Sequence, residues 1–450
     1  MEINRNSPIA FTSPSNGVAR PAVQAQSSTA APAAQDGVTI SSGNASSAAA
    51  PTVNASPTPA APAAPTPKEW TIMTYFCSDN NLYPYEVNNL SDMEKVGGSA
   101  NMNVVAEMSH ESKGGHVVRY DVQKENPGTH SPVTQDLGSI NMSDPKSLAD
   151  FIKWTKTNYP AKHYMLVMND HGNGWEGCCA SDKHNGWFTL PQLEDGLKAG
   201  ADATDGKPLD IVGFDCCLMA NVENLDQIGK QAKFLVGSEE TEGGPGWSYN
   251  QVLTGDLLKS LQTTQRDGKE LSAQDLATRI VKSAHGHDHD LPTMSAVDTS
   301  KIPDLMASIK NFGQAIQDTK TVSNTDIAAA ADSAQKFYLE RDLSDFAGKV
   351  AAKSGDNDKN LTAAAQAVQS AISNTLVAEE HSAKYPGAHG LTIELTRQDP
   401  THAPLSINPD PSLSRVTFGK YKDLRFAQDV GFNHAVDKFR TGAAVEAQQV

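Results

Sequence analysis

Leu209-Asp210-Ile211-Val212-Gly213-Phe214-Asp215-Cys216-Cys217-Leu218-Met219 is the stretch that decides the fold of this 450-residue chain. Its first part is a short apolar run of the kind that makes a buried strand, and it ends on an acid and two thiols. Upstream, a second apolar run, Tyr164-Met165-Leu166-Val167-Met168, opens into Asn169-Asp170-His171-Gly172-Asn173-Gly174-Trp175. A thiol and an imidazole at the ends of two buried strands point to an α/β sheet, where sites form outside the carboxyl ends of the strands.

Outward from this pair, strands are expected at 71–76, 102–108, 116–122 and 234–236. Helices are expected at 84–93 and after Asp144-Pro145, where Leu148, Phe151, Ile152 and Thr155 share a face. Another is expected from Leu218 through Val222, Leu225 and Ile228. Between the two site strands the chain is polar and reads as an exposed connection. The rest is helix-rich (272–284, 301–318, 324–337, 361–376), with strands at 294–297 and 391–395. Strands alternating with helices predict an α/β fold whose mostly parallel sheet is covered on both faces, followed by a helix-rich C-terminal part.

The first 66 residues are Ala, Ser, Pro and Thr with few charges (Glu2, Arg5, Arg20, Asp36), and they are expected to be disordered. The organisation expected is therefore a disordered segment 1–66, one domain over 67–441 and a flexible tail 442–450. No basic stretch followed by an apolar one opens the chain, so no cleaved Sec signal is expected, and no run is long enough to span a membrane. The polar, Ser/Asn-rich residues 1–21 resemble a bacterial type III secretion signal. That predicts secretion by a non-Sec route into a host cell, the alternative being a cytoplasmic protein. The formal charge of −16 belongs to the remainder of the chain. Such a surface disfavours nucleic acid and anionic membrane and mildly favours cationic substrates.

Five cysteines, Cys77, Cys178, Cys179, Cys216 and Cys217, form neither a disulfide framework nor a C-x-x-C zinc site, and reduced thiols are expected. Cys178 and Cys179 are read as free thiols near the site. The run His285-Gly286-His287-Asp288-His289-Asp290 has the residue types of a metal site but reads as a solvated loop, so no metal ligand is assigned. No cofactor is expected to be required.

In an extended segment, residues two apart share a face, so Asp215 and Cys217 point one way and Cys216 the other. Cys217 then precedes the helix expected at Leu218, whose positive end would lower its pKa. A thiolate there can attack a carbonyl while His171 donates a proton to the leaving amine. The backbone N–H groups of Gly172 and Cys217 would receive the oxyanion.

Several blocks carry a family resemblance: Trp70–Tyr75 with Asp79–Leu82, Asp170–Trp175, Phe214–Ala220 and Ser238–Trp247. Further blocks are Ser295–Asp298, Asp342–Phe346, His389–Ile393 and Tyr421–Ala427. In this order they resemble the clostripain family of cysteine peptidases over about residues 70 to 439. The resemblance implies a caspase-like αβα sandwich and a His/Cys dyad, with Cys217 as nucleophile, Cys216 as the small residue before it and His171 as the dyad histidine. It also implies Asp215 at the base of the S1 pocket, hence cleavage after a basic residue of a protein or peptide, with a host protein as a candidate substrate. The departure is Pro245, which stands where basic-specific members carry a second acid. Glu239, Glu240 or Glu242 is the expected substitute, with Trp247 as a further substrate contact. Some members need calcium, but no EF-hand-like loop is present. Some cut themselves, and Lys183, Lys198 and Lys207 lie between the dyad elements. Two other functions use the same residues: a catalytically idle peptide-binding member of the fold, and an acyl transferase in which an amine takes the place of water.

Overall fold

The structure, a computed structural model, describes residues 66–110, 114–125, 130–253, 271–284, 291–396 and 419–448. The expected disordered segment through residue 65 and the His285–Asp290 run lie outside them. The chain opens with β1 (Lys68–Phe76), α1 (Tyr83–Glu94), β2 (Met102–His110), β3 (His116–Asp121), β4 (Val133–Asp136) and α2 (Pro145–Asn158). Then come β5 (Ala161–Asn169), a hairpin of β6 (Cys178–Ser181) and β7 (Gly186–Phe188), α3 (Leu190–Asp202) and β8 (Leu209–Asp215). They are followed by α4 (Val222–Ile228), β9 (Ala232–Gly237), α5 (Tyr249–Leu253), α6 (Ala273–Lys282) and β10 (Thr293–Asp298). The last part holds α7 (Ile302–Asp318), α8 (Asn324–Ser333), β11 (Lys336–Phe337), β12 (Glu340–Asp342), α9 (Leu343–Ser354) and α10 (Lys359–Thr375). It closes with β13 (Leu376–His381), β14 (Thr392–Ile393) and α11 (Asn433–Gln448), which runs across the 441/442 boundary read from the sequence.

Nine strands form one sheet in the order β13-β10-β9-β8-β5-β1-β2-β3-β4. The central run from β9 to β2 is parallel, and both margins are finished by antiparallel pairs. All strands but β3 and β10 point the same way, so the mostly parallel sheet is found. Strand alternation divides the core into two layers. Val212 and Phe214 of β8 pack with Leu148, Phe151 and Leu193 of α2 and α3. Ile211, one residue out of phase, packs in the opposite layer with Leu276 and Ile280 of α6.

The exposed connection expected between the site strands is not there. Residues 178–202 instead make the β6/β7 hairpin and α3. Leu190, Leu193 and Leu197 are buried on one face of that helix, and Thr189 and Gln192 cap its start reciprocally. The helical spacing was legible, but the polar residues between the leucines masked it. The helix expected over 324–337 ends at Ser333, and Lys336–Phe337 turns into β11.

Candidate active site

β5 and β8 are parallel neighbours, with Asn169 opposite Asp215. Two residues on from each lie His171 and Cys217, so sheet register alone brings them to one level beyond the carboxyl edge. Gly172 lets the two arms close. A Cβ there would lie 2.3 Å from the Cys217 carbonyl oxygen and 3.0 Å from its nitrogen, so no larger residue fits.

Cys217 is partly exposed, whereas Cys77, Cys178, Cys179 and Cys216 are buried. The Glu242 N–H donates to the Cys217 Sγ at 3.3 Å, and the Gly172 N–H also points at it. Burial nevertheless pushes the thiol up to about 11, against the pull of those two donors. The fall in pKa expected from a helix end is therefore not found. The reason is local: α4 begins only at Val222, capped by Asn221, whose side chain accepts from the Asn224 N–H at 2.8 Å. Leu218 is no part of it. It adopts φ 66°, turning the chain so that its N–H meets the Glu240 carbonyl at 3.2 Å.

The His171 Nε2 lies 2.7 Å from the Asn81 Oδ1. Asn81 sits in the turn after β1, which is the other neighbour of β5. The sequence reading placed Asn81 in the block Asp79–Leu82 and gave it no role. The adjacency of β1 and β5 is what makes Asn81 an orienting group, and spacing along the chain does not reveal it.

Asp215 is buried and fully engaged. Its carboxylate accepts from the Trp247 N–H (3.0 Å), the Tyr249 hydroxyl (2.9 Å) and the Asn169 amide. Gly246, at φ 62°, passes so close that a Cβ would lie 2.4 Å from the Asp215 Oδ1. Trp247 lies in the core, 2% exposed, across Gly213 of β8. It reaches the site through its backbone N–H, at Asp215, and through its indole, which faces Glu242.

Of the three candidate second acids, Glu242 alone meets Asp215. Both of its carboxyl oxygens are buried without a well-formed hydrogen bond. Burial first, and Asp215 second, hold its pKa well above the usual carboxylate range. Burial also raises Asp215. Each of these two acids disfavours the ionisation of the other, which adds to the effect of burial. Glu239 is elsewhere, accepting from the Gly390 N–H at 3.0 Å and facing Asp342. The Glu240 carboxylate is taken up by the N–H and hydroxyl of Thr241. Lys198 lies within α3, paired with Asp202. Lys183 and Lys207 are exposed between elements.

The Clostripain family profile matches residues 74–398, and the chain belongs to that family. Clostripain of Hathewaya histolytica is 28% identical over 233 residues, 42% of this chain and 42% of that protein, so the chain spans under half of that curated relative. A secreted C11 cysteine protease from Bacteroides thetaiotaomicron, "iotapain", superposes with a TM-score of 0.59 at 15% identity, over 82% of this chain and 100% of that one. A secreted C11 protease of the same organism, in complex with an irreversible peptide inhibitor, gives 0.54 at 16% identity, over 82% and 99%. These likenesses establish the caspase-like αβα fold. Among the described residues no helix is long and apolar enough to cross a membrane.

Proposed function

We propose that the protein is a cysteine endopeptidase that cleaves after basic residues, with Cys217 as nucleophile and His171 as proton carrier. The observation that carries this reading is the Cys217 Sγ, held between two backbone N–H groups at the register level of His171. With its pKa near 11 the resting thiol is neutral, so attack requires the imidazole to take its proton. The Asn81 Oδ1, 2.7 Å from Nε2, holds the ring in place for that transfer. The Sγ–carbon bond forms as the carbonyl becomes an oxyanion, for which the N–H groups of Gly172 and Cys217 are the proposed donors. The proton on His171 then goes to the departing amine, and water releases the thioester. Peptide substrates fit the family, one of whose structures holds a peptide inhibitor.

The basic preference rests on Glu242. Asp215 accepts from the Trp247 N–H, the Tyr249 hydroxyl and the Asn169 amide, while Glu242 lies against Asp215 beside the thiol and has no well-formed hydrogen bond to either oxygen. Glu242 thus supplies the acid that Pro245 does not. A guanidinium or ammonium would offset the repulsion between the two acids. Fluorogenic peptides ending in Arg, Lys or Asp, offered to the wild type, Cys217→Ala and Cys216→Ala, test the assignment. Turnover is expected for Arg and Lys and its loss in Cys217→Ala alone. Turnover surviving in Cys217→Ala but lost in Cys216→Ala would sink it. Equal inactivity on every peptide, with no labelling by a thiol-reactive probe, would favour the idle peptide-binding member. Delivery by a type III route belongs to the same reading, supported by the composition of residues 1–21. Unchanged export of a chain lacking residues 1–66 would remove it.

A further inference from the structure

Behind the nucleophile lies a second group of thiols that peptide cleavage does not use. The sulfurs of Cys178, Cys179 and Cys216 all lie within 4.8 Å of one another, and the three residues are at most 1% exposed. Cys77 adjoins the group through its contact with Cys179. We propose that Cys178, Cys179 and Cys216 bind one thiophilic d¹⁰ cation, Zn²⁺ or Cu⁺, as a structural ion behind the active site.

The backbone carries the first argument. Neighbours in a strand face opposite sides, so Cys178 and Cys179 should not point into one cluster. They do because Cys179 adopts φ 61° and the β6/β7 register shifts between Cys178 and Ala180. A left-handed conformation in a residue other than glycine is strained and persists where the surroundings impose it. Packing of two small side chains needs no such strain, whereas converging two sulfurs on one point does.

The second argument is the donor set. Three buried sulfurs are what soft cations select, whereas Ca²⁺ and Mg²⁺ require oxygen. Sulfurs around Zn²⁺ at about 2.3 Å stand roughly 3.8 Å apart, so the cluster must contract by no more than about an ångström. Cys77 is the adjacent candidate for a fourth ligand. Each thiol that coordinates gives its proton to solvent as its Sγ–metal bond forms, so binding strengthens as pH rises. The third is position. Gly172 bridges to Cys178, and the Cys179 N–H donates to the His171 carbonyl at 2.9 Å. Cys216 precedes Cys217 in the chain. One ion would therefore tie the histidine arm to the nucleophile arm.

Because the thiols are buried, the ion must enter as the chain folds. The test uses full-length Cys217→Ala, in which the nucleophile can lend no sulfur, produced with added zinc or added copper. After dialysis against a chelator, metal per chain is measured by mass spectrometry. About one equivalent of one of the two metals is expected, identifying which, with a drop of roughly tenfold or more in Cys178→Ala and in Cys216→Ala. A metal-free Cys217→Ala protein from both media overturns the proposal. So does undiminished metal in both further variants. If either variant fails to fold, refolding Cys217→Ala with Cd²⁺ decides instead. Thiolate-to-metal charge-transfer absorption saturating at one ion per chain supports the site, and its absence overturns it.

Discussion

Cys216 and Cys217 are adjacent in the chain and belong to different regions of the molecule. Cys217 faces the open edge of the sheet, among the N–H groups of Gly172 and Glu242, with the Asp215–Glu242 pair beside it. Cys216 faces inward, donates to the Met168 carbonyl at 3.4 Å and joins a pocket of sulfur. Burial raises both thiols. The difference is what surrounds them: donors that stabilise a thiolate and access for a substrate on one side, neither of these on the other. Reactivity here follows from the face of β8, with the residue type held constant.

The sharpest way to break that contrast is to remove each partner in turn. Cys217→Ala should lower peptide turnover by about 10⁴-fold or more and His171→Ala by about 10³-fold, read as kcat/KM on an Arg peptide. Next, Glu242→Gln and Asp215→Asn should each lower kcat/KM for Arg and Lys peptides by about 10²-fold. Glu242→Gln is the cleaner of the two, because the Asp215 network stays intact. An unaltered Arg preference in Glu242→Gln would dissociate that acid from specificity. Alkylation sharpens the comparison without substrate. The thiol titrates at about 11, so its thiolate fraction, and the labelling rate of Cys217, should rise about tenfold per pH unit between pH 6 and 9. Cys216 should stay unmodified in the same peptide map. A flat profile would mean that a lower pKa governs the thiol. Asn81→Ala should lower kcat about tenfold with little change in KM, through loss of the His171 orientation. The smallest effect belongs to Cys216→Ala compared with the metal-free wild type, which should retain turnover within about tenfold and cost about 1 kcal/mol of stability by thermal melting.

Much of this arrangement was legible. The apolar runs 164–168 and 209–214 mark two inner strands because burial on both faces demands continuous hydrophobicity. The period of two at Asp215-Cys216-Cys217 separated the thiols correctly. The helix at Leu218 was misread because Leu218, Val222, Leu225 and Ile228 keep a helical period although only the last three are helical. Period reports which side chains are buried, and a turn can bury one as well as a helix can. Asn81 and the identity of the second acid were hidden because they depend on which segments lie side by side. The convergence of Cys178 and Cys179 was hidden because it needs one backbone angle that no pattern encodes.

By itself the sequence determined the five parallel strands at the centre of the sheet, the faces on which Asp215, Cys216 and Cys217 leave β8, and the family. These are local properties, set by alternation and by the residues at strand ends. Only the tertiary structure decided that β5 lies between β1 and β8, that Glu242 rather than Glu239 or Glu240 meets Asp215, and that burial outweighs the donors around Cys217. Those outcomes depend on distances between segments far apart in the chain, and burial and proximity are what set a pKa.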